Sequence, residues 1–374
     1  MLKLCRILPK IRFMIQTDIK VNRPESIDPL IETDYFAQDT DIQKTIQELC
    51  EGRHVLIEKV YSNGLKLLKG LQSYLKKIYP TYSFQDKRAF RTEYQKLSNL
   101  ILIRVKDNKL DVKKAPFIGW LDKLYPDTHD FLLPFPQIQG LNSAWQWNIK
   151  GVLIPGLRNR IHPYYGVYFP TRFEHILLFE NWLKHYEGAK KTAIDVGIGS
   201  GVLSFLLMKY GFQKSFGTDI NPNAIIGLNE SMKGTKLSRK IEIDYGYLFG
   251  KWTKPTELIV FNPPWLPTSR DLDRLDDAIY YNESLFPDFF EEAQKRLLPE
   301  GKIVLLFSNL AEITNVAKEN PIEWELKNGN RFELERRFTK SVKSSSTKTK
   351  RDTPWRSEEK VELWVLRKKP ATLL

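Results

Sequence analysis

The sequence predicts an α/β protein on a doubly wound, mostly parallel sheet, with an antiparallel C-terminal strand pair and a smaller α+β part in front. Three observations predict it. Between residues 160 and 310, apolar strand runs alternate with helical stretches, the pattern of repeated parallel crossover units. A glycine-rich turn, Asp195-Val196-Gly197-Ile198-Gly199-Ser200-Gly201, follows the strand run Lys191-Thr192-Ala193-Ile194. A second turn, Asn262-Pro263-Pro264-Trp265, follows the strand run Glu257-Leu258-Ile259-Val260-Phe261.

Length and composition frame these signals. A chain of 374 residues can bury two cores, and the change in texture puts the boundary at 150/151. Residues 1–150 read as a basic α+β substrate-recognition module and 151–374 as the catalytic domain. No apolar run approaches the ~20 residues that span a bilayer, so no membrane partner is expected. Cys5 and Cys50 have no metal or redox spacing, which predicts no metal site and a reducing, cytoplasmic compartment. The first 16 residues hold Lys3, Arg6, Lys10 and Arg12 and no acid, yet they lack Ser, and Pro9 interrupts any helix. No targeting is read from them, and a start at Met14 is an equally plain reading.

The elements follow in order. Helical patterning runs through 40–78, with lysines set among leucines. A hairpin is expected over 100–112, turning at Lys106-Asp107-Asn108-Lys109. Proline and aromatic residues crowd 116–136, which predicts a surface wrap or a linker. Strands are then expected at 191–196, 214–218, 240–244, 257–261 and 302–307. Helices are expected at 202–210, 221–231 and 286–297, the last stopping at Pro299-Glu300-Gly301. A closing pair comes from within 324–338 and from 361–367. The Ser/Thr/Lys-rich stretch 341–351 between them is expected to be mobile.

Gly197, Gly199 and Gly201 form a turn without Cβ atoms between a strand and a helix, which lets a ligand approach backbone N–H groups closely. The dinucleotide fingerprint needs a glycine where Val202 stands, which argues against NAD or FAD. Asp219 ends the second strand and can accept hydrogen bonds from both hydroxyls of a ribose, while Asn221 caps the helix behind it.

These motifs resemble the class I S-adenosylmethionine (SAM)-dependent methyltransferases that methylate nitrogen, over about 160–310. The resemblance implies a Rossmann-like class I methyltransferase sheet and SAM as cofactor. It implies that Asp195 lies near the methionine end of SAM. Asp219 and Ile220 lie by the ribose. Tyr247 stands where relatives carry an acid against the adenine amino group, and either Asp244 or the Tyr247 hydroxyl can replace it. The Pro-containing loop of His162 to Arg172 would cover SAM, with Thr171 and Arg172 within reach of its carboxylate; aromatic packing between domains is the competing reading.

Asn262-Pro263-Pro264-Trp265 speaks to the acceptor. A conjugated amine is a poor nucleophile, and the Asn262 side-chain oxygen and the Pro263 carbonyl can each accept one of its N–H bonds, orienting the lone pair. Pro264 helps to stiffen the turn, and Trp265 offers a face on which a base can stack. The match is to the small-methyltransferase grouping, which holds both RNA and DNA base methyltransferases and the glutamine-N5 methyltransferases of release factors.

Charge tilts the choice. Residues 51–150 carry 17 Lys/Arg against 9 Asp/Glu and residues 331–374 carry 13 against 6, whereas 151–330 is near neutral. Basic flanks suit a polyanion. The expected acceptor is therefore an exocyclic amine of a nucleic-acid base, adenine N6 or guanine N2, with RNA favoured over DNA. A protein glutamine is the alternative, and a catalytically silent SAM-binding subunit is the reading from a different class.

Overall fold

A computed structural model describes residues 19–79, 84–268, 280–342 and 358–370. The first sheet is built from β1 (Asp34–Phe36), β2 (Val55–Ile57), β3 (Ile101–Lys106), β4 (Lys109–Leu110) and β5 (Asp130–Pro134). β1, β2 and β3 are parallel, while β4 and β5 run antiparallel to β3. Helices α1 (Ile42–Cys50), α2 (Tyr61–Ile78), α3 (Phe84–Ser98), α4 (Trp120–Leu124) and α5 (Phe135–Lys150) accompany it.

Two expectations for this part are corrected. The helical run over 40–78 is broken by β2, because Gly52 takes φ +84° just past α1 and Val55-Leu56-Ile57 then pairs with β1 and β3. The stretch 116–136 is no surface wrap. Trp120, Tyr125, Phe131 and Phe135 are all within 1% of full burial, so its aromatics build the core. The hairpin is where it was expected, with Asp107 and Asn108 in the left-handed region that a tight turn requires. Helix α2 shows the logic of its sequence: Leu67, Leu68, Leu71 and Leu75 are buried, while Lys66, Lys69, Lys76 and Lys77 stay exposed.

After α6 (Glu174–Lys184) come β6 (Thr192–Val196), α7 (Val202–Lys209), β7 (Lys214–Asp219), α8 (Pro222–Met232), β8 (Ile241–Tyr245) and β9 (Thr256–Phe261). A short pair, β10 (Leu266–Pro267) and β11 (Tyr280–Tyr281), is followed by α9 (Leu285–Arg296) and β12 (Leu297–Ser308). Helices α10 (Leu310–Ile313) and α11 (Pro321–Trp324) lead to β13 (Phe332–Ser341) and β14 (Lys360–Lys368).

The seven long strands lie in the order β13-β14-β12-β9-β6-β7-β8. Five run parallel and β14 lies antiparallel between β12 and β13. The expected strands and helices all form, with ends displaced by a few residues. The largest displacement is in β12, which absorbs Pro299-Glu300-Gly301 as a register shift between Leu297 and Lys302. The stretch 343–351 lies outside the described residues.

Side chains on the seven strands alternate between two cores. Ile194, Ile259, Phe261, Ile303 and Leu305 face α9, while Ala193, Leu258, Val260, Val304 and Leu306 face α6 and α7. The first sheet's core runs on into Tyr164, Tyr165 and Ala224, and Lys123 pairs with Glu230 of α8 at 2.7 Å. The strand order reverses between β6 and β9, which opens the crevice where such sheets bind ligands.

Candidate functional site

A cavity of about 440 Å³ opens at the carboxyl ends of β6, β7, β8 and β9. Both sequence motifs border it. Gly197, Gly199 and Gly201 all take positive φ, and a Cβ on Gly199 would come 3.5 Å from the carbonyl oxygen of Tyr168. At Gly201 a Cβ would press to 2.8 Å on Leu228, so that glycine seats α7 against α8.

Asp219 ties the turn to its neighbour. Its carboxylate accepts from Gly199 N and from Asn221 N, each at 2.8 Å. Asn221 accepts from Asn223 N at 3.0 Å and caps α8, as its position implied. Asp219 and Ile220 both line the cavity, and Ile220 is 47% exposed although apolar. Asn22, far away in sequence, also lines it. Its N–H donates to Asn223 Oδ1 at 2.8 Å, so the described N-terminal segment borders the site.

Asp195 lines the cavity with a buried carboxylate. Oδ2 accepts from Ser204 N at 2.9 Å and from the Ser204 hydroxyl at 2.7 Å, which satisfies the first turn of α7. Burial pushes its pKa up to about 7, against the lowering effect of those two hydrogen bonds. Three expected contacts fall elsewhere. Asp244 turns away from the cavity and accepts from Lys251 N at 2.9 Å; Tyr247 lines the wall in its place, its hydroxyl 3.1 Å from Asp288. Thr171 is exposed and Arg172 pairs with Glu359 at 3.1 Å, so Tyr168 and Pro170 are the wall residues of that loop.

At the end of β9, Asn262 and Pro264 line the cavity and Pro263 is buried. Asn262 Oδ1 is buried without a hydrogen-bond partner. Trp265 is outside the wall. Its indole N–H donates to Leu306 O at 3.4 Å, and its ring stands edge-on to His175, with centroids 5.4 Å apart. Trp265 is half-buried and packs against the core that faces α9. His175, in the first turn of α6, was not singled out by sequence. A lone histidine on an apolar helix face carries no signal of its own. It is 2% exposed, lines the cavity, and has both ring nitrogens unpartnered; burial pushes its pKa down to about 4.

These walls fit SAM: carboxylates at the ends of β6 and β7, a turn in which Gly197 and Gly199 at positive φ leave the backbone open to the cavity, and apolar Ile198, Leu203 and Leu248 between them. Among the described residues no group of three or more His, Cys, Asp or Glu is placed to hold a metal. A family model, ribosomal protein L11 methyltransferase, matches residues 178–262, spanning the glycine turn, Asp219 and Asn262. The chain is a class I SAM-dependent methyltransferase. A candidate protein N5-glutamine methyltransferase of Methanocaldococcus jannaschii is 29% identical over 181 residues, 46% of this chain and 87% of that protein. The ribosomal protein L11 methyltransferase of Alkaliphilus oremlandii is 31% identical over 135 residues, 35% of this chain and 43% of that enzyme. A solved L11 methylase from Lactobacillus delbrueckii subsp. bulgaricus superposes with a TM-score of 0.38 at 17% identity, over 58% of this methyltransferase and 91% of that chain.

When bound, SAM supplies an electrophilic methyl group on a sulfonium. Asp219 and the Gly197–Gly201 turn would hold its nucleoside part, and Asp195 would lie toward its charged end. No helix among the described residues is long and apolar enough to cross a membrane.

Proposed function

We propose that this methyltransferase acts on a planar amino nitrogen, and that the acceptor is the side-chain carboxamide of a protein glutamine. The observation that carries the nitrogen is the buried, unpartnered Oδ1 of Asn262 in the cavity wall. Leaving such an acceptor unmade costs about 1–3 kcal/mol, which an N–H of the substrate would recover. With the Pro263 carbonyl taking the other N–H, the nitrogen lone pair points at the methyl group and the growing positive charge meets two oxygens. Two observations support the carboxamide: the relative named for that activity is matched over 87% of its length, and Trp265, the residue on which a base would stack, lies outside the cavity wall.

The nucleic-acid base, adenine N6 or guanine N2 with RNA ahead of DNA, is the second reading. The basic flanks favour it, with Lys66, Lys69, Lys76 and Lys77 exposed along α2. In that case residues 1–150 recognise the polyanion. In the glutamine case the same face docks an acidic or ribosome-bound protein. Methyl-labelled SAM, added with the purified enzyme to a protein extract, total RNA and genomic DNA from cells lacking the gene, separates the two. Label in protein that is lost with Asn262→Ala supports the carboxamide. Label in RNA or DNA alone overturns it in favour of the base.

A further inference from the structure

The reaction leaves a proton to be placed. Once methylated, a carboxamide or base amine is a strong acid, and the oxygens of Asn262 and Pro263 can accept its hydrogen bonds but cannot keep its proton. Among the described titratable groups of the cavity wall, Asp195 is committed to Ser204, and Asp219 holds Gly199 and Asn221. Apart from His175, the other ionisable groups there are phenols, Tyr168, Tyr245, Tyr247, Tyr280 and Tyr281, and a phenol offers a proton rather than a free base.

His175 remains. Both ring nitrogens are buried without partners, and the ring is held edge-on by Trp265, the residue that ends the Asn262 motif. A core histidine would have a carbonyl or hydroxyl on at least one nitrogen. An imidazole with neither, in the wall that also holds the buried, unpartnered Asn262 Oδ1, is set up for a group that arrives with the substrate. Its surroundings are buried, with Glu174 beside it and Asp195 and Asp219 across the same cavity. The desolvation of His175 keeps it neutral at pH 7, so one nitrogen holds a lone pair.

We propose that His175 is the catalytic base that receives the acceptor's proton. The inference rests on the nitrogen-acceptor reading above. The nitrogen lone pair forms the C–N bond, the C–S bond of the donor breaks, and sulfur keeps the electron pair. The N–H proton passes to the free imidazole nitrogen and leaves to water with the product. The base need not be strong, because the N-methylated cation is far more acidic than imidazolium.

The test uses the full chain and whichever extract pool accepts label, with SAM affinity measured separately by calorimetry. His175→Leu matches the volume without a base, and His175→Ala leaves room for an added azole. The expected result is a fall of about 100-fold or more in single-turnover transfer for both variants, with SAM affinity within about threefold. Added imidazoles restore His175→Ala at rates that rise with azole pKa, a dependence that simple refilling of space does not produce. In the free enzyme, ¹⁵N-histidine spectra should show one imidazole, absent in His175→Leu, that stays neutral at pH 5.5. Transfer within threefold of wild type in both variants, rescue indifferent to azole pKa, or a His175 protonated at pH 7 overturns the assignment. Asn262→Ala separates the layers. If it transfers at the wild-type rate, the acceptor reading itself fails; if it is inactive while both His175 variants are active, only the role of His175 fails.

Discussion

Acidification should destabilise the wild type more than His175→Leu, and the size of the difference follows from the burial of one ring. The imidazole titrates at about 4 in the folded protein against 6.5 when unperturbed. A depressed value means that the unfolded chain binds the proton first. The stability from the neutral buried ring is therefore complete above pH 6.5 and is lost as pH falls toward 4. Between pH 8 and pH 5 the loss is about 2 kcal/mol. Asp195 works the other way. Its carboxyl titrates at about 7 against 3.8, so its contribution is complete below 3.8, is lost as pH rises through 7, and favours the folded state at pH 5 by about 3 kcal/mol relative to pH 8. The two nearly cancel in the wild type, so a simple pH curve conceals both. Urea unfolding followed by tryptophan fluorescence, for wild type and His175→Leu at pH 8 and pH 5, isolates the histidine. The variant should gain about 2 kcal/mol on acidification relative to the wild type, at unchanged m-value. Equal shifts in the two proteins would show that the ring is hydrated or paired, and the reasoning from its burial would fail.

Asn262→Ala should cut methyl transfer by about 100-fold or more with SAM affinity within about threefold, read by label incorporation and calorimetry. Asp219→Ala should weaken SAM binding by roughly 10-fold or more before it affects the transfer step, because its carboxylate both holds Gly199 and faces the cavity. Trp265→Phe should transfer within about threefold of wild type, whereas Trp265→Ala should lower unfolding free energy by about 3 kcal/mol in urea titrations. A large loss of transfer in Trp265→Phe would restore the stacking role. If RNA binds the basic flanks, its affinity should fall steeply between 50 and 200 mM salt in a fluorescence titration; a flat response would point to a protein partner.

Much of this was legible locally. Strand-and-helix alternation, the three glycines and the Asn-Pro-Pro turn are short-range signals, because period-2 and period-3.6 patterns and missing Cβ atoms act within a few residues. The first sheet was harder to read. β1 and β2 are three residues each and gain their hydrogen bonds only from partners distant in sequence, so Val55-Leu56-Ile57 looked like part of a helical run. The aromatics of 116–136 carried no periodicity, and only a core that draws in Tyr164 and Ala224 explains their burial.

The sequence by itself determined the fold class, the glycine turn with Asp195 and Asp219, and the place of Asn262 after the fourth strand of the unit. Each depends on residues adjacent in the chain. Tertiary structure alone decided which side chains face the cavity. Trp265 turns to Leu306, Arg172 to Glu359 and Asp244 to Lys251, because partners 41, 187 and 7 residues away satisfy them first. His175 and Asn262 stand 87 positions apart in the chain and carry no shared motif. They meet in one wall because α6, packed on the face of the sheet, brings its first turn to the cavity, and burial there leaves both without a partner.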